Sequence, residues 1–178
     1  MIANEPKQII LLGYMGSGKS TVGKELAVLL EREFIDLDDY LEEREKASIS
    51  QVIQEKGAIY FRKREHDCLK EVLEGDEKIV LALGGGTPCY YNNMKLISQS
   101  NEAISFYLRA AVPFLTNRLF DERAHRPLIS RFEQQDDLAE FIGKHLLERS
   151  GFYNEATHNL SIENKTVNQI VAEIEDLL

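Results

Sequence analysis

The chain has 178 residues, 43% of them hydrophobic and 29% charged, with a net charge of −9. That length suits one domain with a core that needs no covalent staples. The acidity disfavours nucleic acid as the main partner, because phosphate backbones reward a basic surface, and Cys68 and Cys89, lacking a C-x-x-C pair, read as reduced thiols.

Only Met1 to Lys7 precede the first apolar run, too few for a signal peptide, and no run approaches membrane-spanning length. A cytoplasmic protein with no membrane or nucleic-acid partner is expected. Gln8-Ile9-Ile10-Leu11-Leu12 reads as a short buried strand. It leads into Gly13-Tyr14-Met15-Gly16-Ser17-Gly18-Lys19-Ser20, which fits G-x-x-x-x-G-K-[ST] in full. From Lys19 to about Leu30, Val22, Leu26, Leu29 and Leu30 fall on one helical face. Strand, glycine-rich turn and helix is the context in which this motif cradles phosphates. The glycines let successive N–H groups point at phosphate oxygens, and the helix N-terminus adds partial positive charge. Lys19 reaches the β- and γ-phosphates, and the Ser20 hydroxyl can ligate Mg²⁺. A nucleoside triphosphate is the implied ligand.

Glu33 to Leu37 reads as strand two, followed by an acidic helix from about Asp38 to Glu45. On a strand, Asp36 and Asp38 point the same way, placing two carboxylates beside the phosphate loop. Such a pair is costly to bury unless a cation or substrate uses it. Strand three, Lys78 to Leu83, ends without an acid. Asp36 is therefore the best acid to orient Mg²⁺ or its waters alongside Ser20. Asp38, one pleat nearer the cleft, can accept a proton from an attacking hydroxyl. The other use, an acidic N-cap for the next helix, suits Asp38 or Asp39.

Ser50 can cap a helix running to Lys56, with Gly57 as its stop. An amphipathic helix from about Ala58 to Leu73 carries Arg62. Gly84-Gly85-Gly86, after strand three, implies either a turn too sharp for side chains or a ligand packed on the backbone. A helix near Asn92 to Gln99 precedes strand four, Ala103 to Leu108. Pro113 lies in the first turn of the next helix, which carries Arg118. Glu122 to Gln135 is charged and aperiodic, and Arg126 beside Pro127 within it suggests a mobile lid. Leu138, Phe141, Ile142, His145 and Leu146 mark a helix that ends at Arg149. Strand five is Asn159 to Ile162, and Thr166 with Gln169 forms a capping box for the last helix. Strands alternating with helices imply an α/β fold, a parallel sheet covered on both faces with its site at the C-terminal strand ends. On spacing alone, Arg62, Arg118 and Arg149 read as solvated charges, with Arg126 the exception.

Taken together, several motifs make the chain resemble the shikimate kinases, in the nucleoside-monophosphate-kinase branch of P-loop folds. They are Gly13-x-x-Gly16-x-Gly18-Lys19-Ser20-Thr21, Phe34-x-Asp36-x-Asp38, Gly57-x-x-x-Phe61-Arg62-x-x-Glu65, Gly84-Gly85-Gly86, Arg126-Pro127-Leu128, and Arg149 four residues before Tyr153. The resemblance implies a single P-loop kinase domain over residues 1–178, a three-layer sandwich with a five-stranded parallel sheet of order 2-3-1-4-5, and a lid at 122–135. It implies transfer of the γ-phosphate of MgATP to the 3-hydroxyl of shikimate, in aromatic amino-acid biosynthesis, by a monomer. By the same resemblance Gly16, Ser17, Gly18, Lys19, Ser20 and Thr21 hold the nucleotide phosphates, and Arg118 packs on adenine. Asp38, Arg62, Arg149 and the glycines Gly84, Gly85 and Gly86 meet shikimate. Ser20 and Asp36 serve one Mg²⁺, and Lys19, Asp38 and Arg126 carry the chemistry.

The chain departs from the family pattern at two places. It has Ala58 where the family commonly has Glu. It has Ser150-Gly151 where a proline often follows the last arginine, which bears on where the helix carrying Arg149 ends. Two other functions fit parts of the pattern. A gluconate-type sugar-acid kinase shares the fold and the acceptor chemistry but not the Phe34-x-Asp36-x-Asp38, triple-glycine and Phe61-Arg62 combination. A regulatory nucleotide switch would need N-K-x-D and D-x-x-G, and the chain has only Asn164-Lys165-Thr166-Val167.

Overall fold

The computed structural model describes residues 6–178; Met1 to Glu5, most of the stretch ahead of the first strand, lie outside it. The described residues form one five-stranded sheet in the order β2-β3-β1-β4-β5, with every neighbouring pair parallel. Its strands are β1 (Gln8–Leu12), β2 (Glu33–Asp36), β3 (Ile79–Ala82), β4 (Ala103–Arg109) and β5 (His158–Ser161). This is the order that the family resemblance implies. Parallel strands need crossover connections, and the helices that supply them cover both faces. Hence Ile9, Ile10, Leu11 and Leu12 are all fully buried, with no alternation along β1. Ala82 of β3 pairs with both Leu11 and Asp36, so the ends of β1, β2 and β3 lie level. The phosphate loop, the paired acids and the glycine triplet leave the sheet at one edge.

Helix α1 (Lys19–Leu29) starts from Gly18, whose φ of +87° lies in the left-handed region that a side chain resists. Its buried residues are Val22, Gly23, Leu26 and Ala27; Leu29, expected on the core face, is 48% exposed. The stripe turns away at the helix end because Leu30 and Glu31 already lead back to β2. Helix α2 (Leu37–Glu45) begins earlier than expected, directly after Asp36.

Helix α3 (Ile49–Lys56) is capped by Ser48, not Ser50. Ser48 and Gln51 form a reciprocal capping box that satisfies two orphan donors, an arrangement unavailable to Ser50 with Ile53 three residues on. Helix α4 (Ala58–Leu73) follows, and the glycine triplet passes into a 3-10 turn, Thr87–Cys89. Helices α5 (Asn93–Gln99) and α6 (Val112–Glu122) flank β4. Helix α7 (Gln135–Tyr153) runs through Arg149 for a further turn, since Ser150 and Gly151 keep the N–H groups a proline would lack. Helix α8 (Val167–Glu175) carries the expected Thr166–Gln169 capping box and packs on α1.

Candidate active site

Two adjoining cavities open at the C-terminal edge of the sheet. The first, of about 320 Å³, is lined by Gly16, Gly18, Lys19, Ser20 and Thr21 of the phosphate loop, with Asp36, Asp38, Gly84, Gly85, Arg118, Glu122 and Arg126. Lys19 Nζ donates to the carbonyls of Gly13 (3.0 Å) and Tyr14 (3.1 Å), folding the side chain over the loop it belongs to. Burial pulls its ammonium down to about 8, against the pull of Asp38 and Asp36 and with a small push from Arg126. An incoming phosphate restores the lost solvation. Ser17 is buried behind the loop and does not line this cavity; its Oγ has no hydrogen-bond partner.

Asp36 and Asp38 do come together, by a route other than strand alternation. The strand ends at Asp36, which becomes the N-cap of α2, its Oδ1 accepting from the Asp38 amide at 3.1 Å. Asp38 then sits in the first helical turn. The cap is therefore Asp36, not Asp38 or Asp39, because its carboxylate precedes the helix and takes the free Asp38 N–H of the first turn. Its other oxygen, Oδ2, accepts from Ser20 Oγ at 2.8 Å. A hydroxyl and a carboxylate at this spacing form an all-oxygen donor set, the chemistry Mg²⁺ takes when phosphates complete its shell. These residues fit the ion. Asp38 has its carboxyl pushed up to about 6, first by burial and then by Asp36 and Glu65, against the opposing effect of Lys19 and Arg62.

The second cavity, about 390 Å³, is bordered by Met15, Asp38, Arg62, Gly85, Gly86, Arg126, Pro127, Leu128 and Arg149. Arg62 and Arg149 arrive from α4 and α7, so guanidinium groups from two helices border one space. Arg62 is locked. Its Nη1 donates to Glu65 Oε2 at 2.7 Å, and its Cζ lies 4.7 Å from the Phe61 ring and 4.3 Å from the Tyr90 ring. Glu65 is 1% exposed and takes a second hydrogen bond from Thr87 Oγ1 at 2.6 Å.

Close approach explains two glycines of the triplet, Gly84 and Gly86. A Cβ on Gly84 would lie 2.7 Å from Asp38 Oδ1, and one on Gly86 2.6 Å from Arg62 Nη2. Of the three, Gly84 lines only the phosphate cavity, Gly86 only the second, and Gly85 both. Tyr153, buried at the end of α7, donates its hydroxyl to the Gly85 carbonyl.

Arg118 borders the first cavity and also a small recess of about 60 Å³ against Phe114, Ile162, Val167 and Ile170. Thr21 and Lys165 also border that recess, so apolar and polar groups adjoin there beside the phosphate loop. Arg126 donates from Nε (3.1 Å) and Nη2 (2.6 Å) to Glu122 Oε2. The segment around it forms turns, with Ile129 and Ser130 amides bonded to the Arg126 carbonyl. Ile129 is fully buried and anchors it, although the sequence around it lacks period.

The reading of residues alone gave no role to Glu65, Thr87, Glu122 or Met15. The i, i+3 spacing of Arg62 and Glu65 was the one available signal, since it places opposite charges on one helix face. Thr87 and Met15 are brought in by the tertiary fold.

Comparison with known proteins agrees with this geometry. A family model described as shikimate kinase matches residues 15–178. A shikimate kinase of Flavobacterium johnsoniae is 42% identical over 172 residues, 97% of this chain and 99% of that protein. The chain belongs to the shikimate kinase family. A crystal structure of shikimate kinase from Bacteroides thetaiotaomicron superposes with a TM-score of 0.87 at 34% identity, covering 96% of this chain and 97% of that one. Shikimate kinase from Acinetobacter baumannii, solved in complex with shikimate, gives 0.83 at 30% identity over 98% and 93%. Membership of this family makes the chain an ATP-dependent kinase and removes the switch and sugar-acid alternatives. Among the described residues, no helix is long and apolar enough to cross a membrane.

Proposed function

We propose that the chain transfers the γ-phosphate of MgATP to the 3-hydroxyl of shikimate, giving shikimate 3-phosphate and ADP. The observation that carries this is the junction: Asp38 and Arg126 border both cavities, one shaped for phosphates and the other walled by paired arginines. Shikimate is a small ring with one carboxylate and three hydroxyls. Arg62 and Arg149 hold the carboxylate by charge-assisted hydrogen bonds, which turns a hydroxyl toward Asp38. The hydroxyl oxygen attacks the γ-phosphorus as the bond to the β-phosphate oxygen breaks, and the hydroxyl proton passes to Asp38. A carboxylate with pKa about 6 is mostly ionised at neutral pH and still basic enough to take that proton.

Lys19 and the loop amides follow the charge on the β- and γ-phosphates, and Arg126 supports the transferring group, because such transfer relies on positioning and electrostatics. Ser20 and Asp36 are the residues that would hold Mg²⁺, which neutralises phosphate charge when bound. Arg118 flanks the adenine. Residues 122–135 act as a lid hinged beside Arg126, excluding water so that ATP is not hydrolysed. One chain builds both cavities, which supports a monomer, and the biosynthetic substrate supports a cytoplasmic site of action.

A coupled ADP-release assay with shikimate, gluconate, a nucleoside monophosphate or water as acceptor tests the reading. Shikimate should dominate by orders of magnitude in kcat/KM. Strong preference for another acceptor would end it.

A further inference from the structure

Tyr14 stands at the first variable position of the phosphate loop, yet its side chain points away from the nucleotide. It is 1% exposed, which leaves its hydroxyl no access to water. The hydroxyl meets His145 Nδ1 at 3.1 Å, and the two rings stand edge to face with centroids 6.2 Å apart. His145 is backed by Phe141, at 4.2 Å between centroids. One helical turn beyond His145 on α7 is Arg149, whose Cζ lies 5.8 Å from the centre of the Tyr14 ring. The Tyr14 carbonyl, meanwhile, accepts from Lys19 Nζ. Backbone and side chain of one residue therefore serve the two ends of the site.

Filling a core beneath the loop needs no phenol. A buried hydroxyl is costly unless it is partnered, and an aliphatic side chain would avoid the cost. What the partnered hydroxyl adds is orientation: His145 fixes the ring plane, and the buried ring presents its π-face to the half-buried Arg149 guanidinium, where cation–π attraction adds to positioning. We infer that Tyr14 is a positioning residue for Arg149, so that a side chain in the phosphate loop sets affinity for the acceptor carboxylate and not for ATP. The inference rests on the reading that Arg149 holds that carboxylate.

Steady-state kinetics on the full chain test it with four variants: Tyr14→Leu, Tyr14→Phe, Arg149→Ala and the double Tyr14→Leu/Arg149→Ala. Tyr14→Leu should raise KM for shikimate roughly tenfold, the value of a half-buried cation–π contact, with KM for ATP within about twofold. Tyr14→Phe keeps the ring but frees its plane, and should raise shikimate KM about threefold. In the Arg149→Ala background, Tyr14→Leu should add nothing further, since contacting residues are not additive. A Tyr14→Leu effect shared equally by both substrates, or undiminished without Arg149, overturns the inference and leaves Tyr14 a core residue. If Arg149→Ala itself spares shikimate KM, the assignment of Arg149 fails first and takes the inference with it. Should Tyr14→Leu not fold, Tyr14→Phe decides alone, and an unchanged shikimate KM overturns the inference.

Discussion

Asp38 and Arg126 each border both the phosphate cavity and the acceptor cavity, so the two stand where the cavities adjoin. A carboxylate and a guanidinium there match what phosphoryl transfer asks for: an acceptor for the hydroxyl proton, and positive charge where the transferring group passes.

Replacing the acid separates chemistry from binding. Asp38→Asn should lower kcat by about 10²–10⁴-fold, the usual cost of a lost general base. Affinity for ATP should change little, as the phosphate loop is untouched. A near-normal kcat would reduce Asp38 to a positioning role.

The same variant should be more stable. Asp38 titrates near 6 in the folded chain against 3.8 as a free side chain, chiefly through burial. The folded state binds this proton more tightly, so its contribution favours folding as pH falls through 6 and is complete below about 3.8. At pH 7 the ionised carboxylate opposes folding by roughly 1–3 kcal/mol. Asp38→Asn should raise Tm by several degrees at pH 7 and not at pH 4. Equal melting at both pH values would mean that the carboxylate costs the fold nothing.

Activity should trace a bell. The acid limb of kcat/KM should fall below about pH 6 as Asp38 is protonated, and the alkaline limb above about pH 8 as Lys19 loses its charge. A bound nucleotide should move the alkaline limb of kcat upward, since phosphates favour the ammonium. Asp38→Asn should flatten the acid limb only; a limb unchanged in that variant belongs to another group.

Arg62 offers two independent handles. Arg62→Ala should raise KM for shikimate by one to two decades, the value of a charge-assisted pair, and leave KM for ATP within a fewfold. Gly86→Ala should imitate it in milder form, because the new Cβ would meet Arg62 Nη2 at 2.6 Å and push the guanidinium aside. Equal effects on the two substrates in either variant would place Arg62 outside the acceptor site.

The lid has a direct readout in hydrogen exchange. Residues 122–135 should gain protection when ADP and shikimate are both added, and Arg126→Ala should lose kcat more than ATP affinity. Protection that stays the same in the free chain and the complex would leave the segment a static wall, as buried Ile129 on its own would allow.

What could be read before folding follows from how local each signal is. The phosphate loop and the strand–helix alternation are carried by neighbours in sequence, and both stand where expected. Asp36 and Asp38 do come together, but not by strand alternation, since strand periodicity cannot foresee that Asp36 caps a helix beginning at Leu37. The Ser48–Gln51 box was visible in the chain, but Ser50, two residues on, is an equally good capping residue type, and only the glutamine three residues after Ser48 separates the two. Leu29 has the right spacing and the wrong end, because the stripe ends where the chain turns back toward β2. Glu65 is the largest omission. Its carboxylate takes hydrogen bonds from Arg62 and from Thr87, and the second partner, 22 residues further along the chain, is one that no periodicity encodes. Arg62 and Arg149 looked like ordinary surface charges until α4 and α7 brought them to one cavity.

The most direct measurement is a competition under limiting MgATP, with shikimate and gluconate present in equal amounts and the products identified by ³¹P NMR. A single phosphate monoester on the 3-hydroxyl of shikimate, formed one for one with ADP, is expected, and it should vanish in Asp38→Asn on the same timescale. Phosphogluconate as the main product, or inorganic phosphate released at a comparable rate, would contradict the assignment of the second cavity to shikimate.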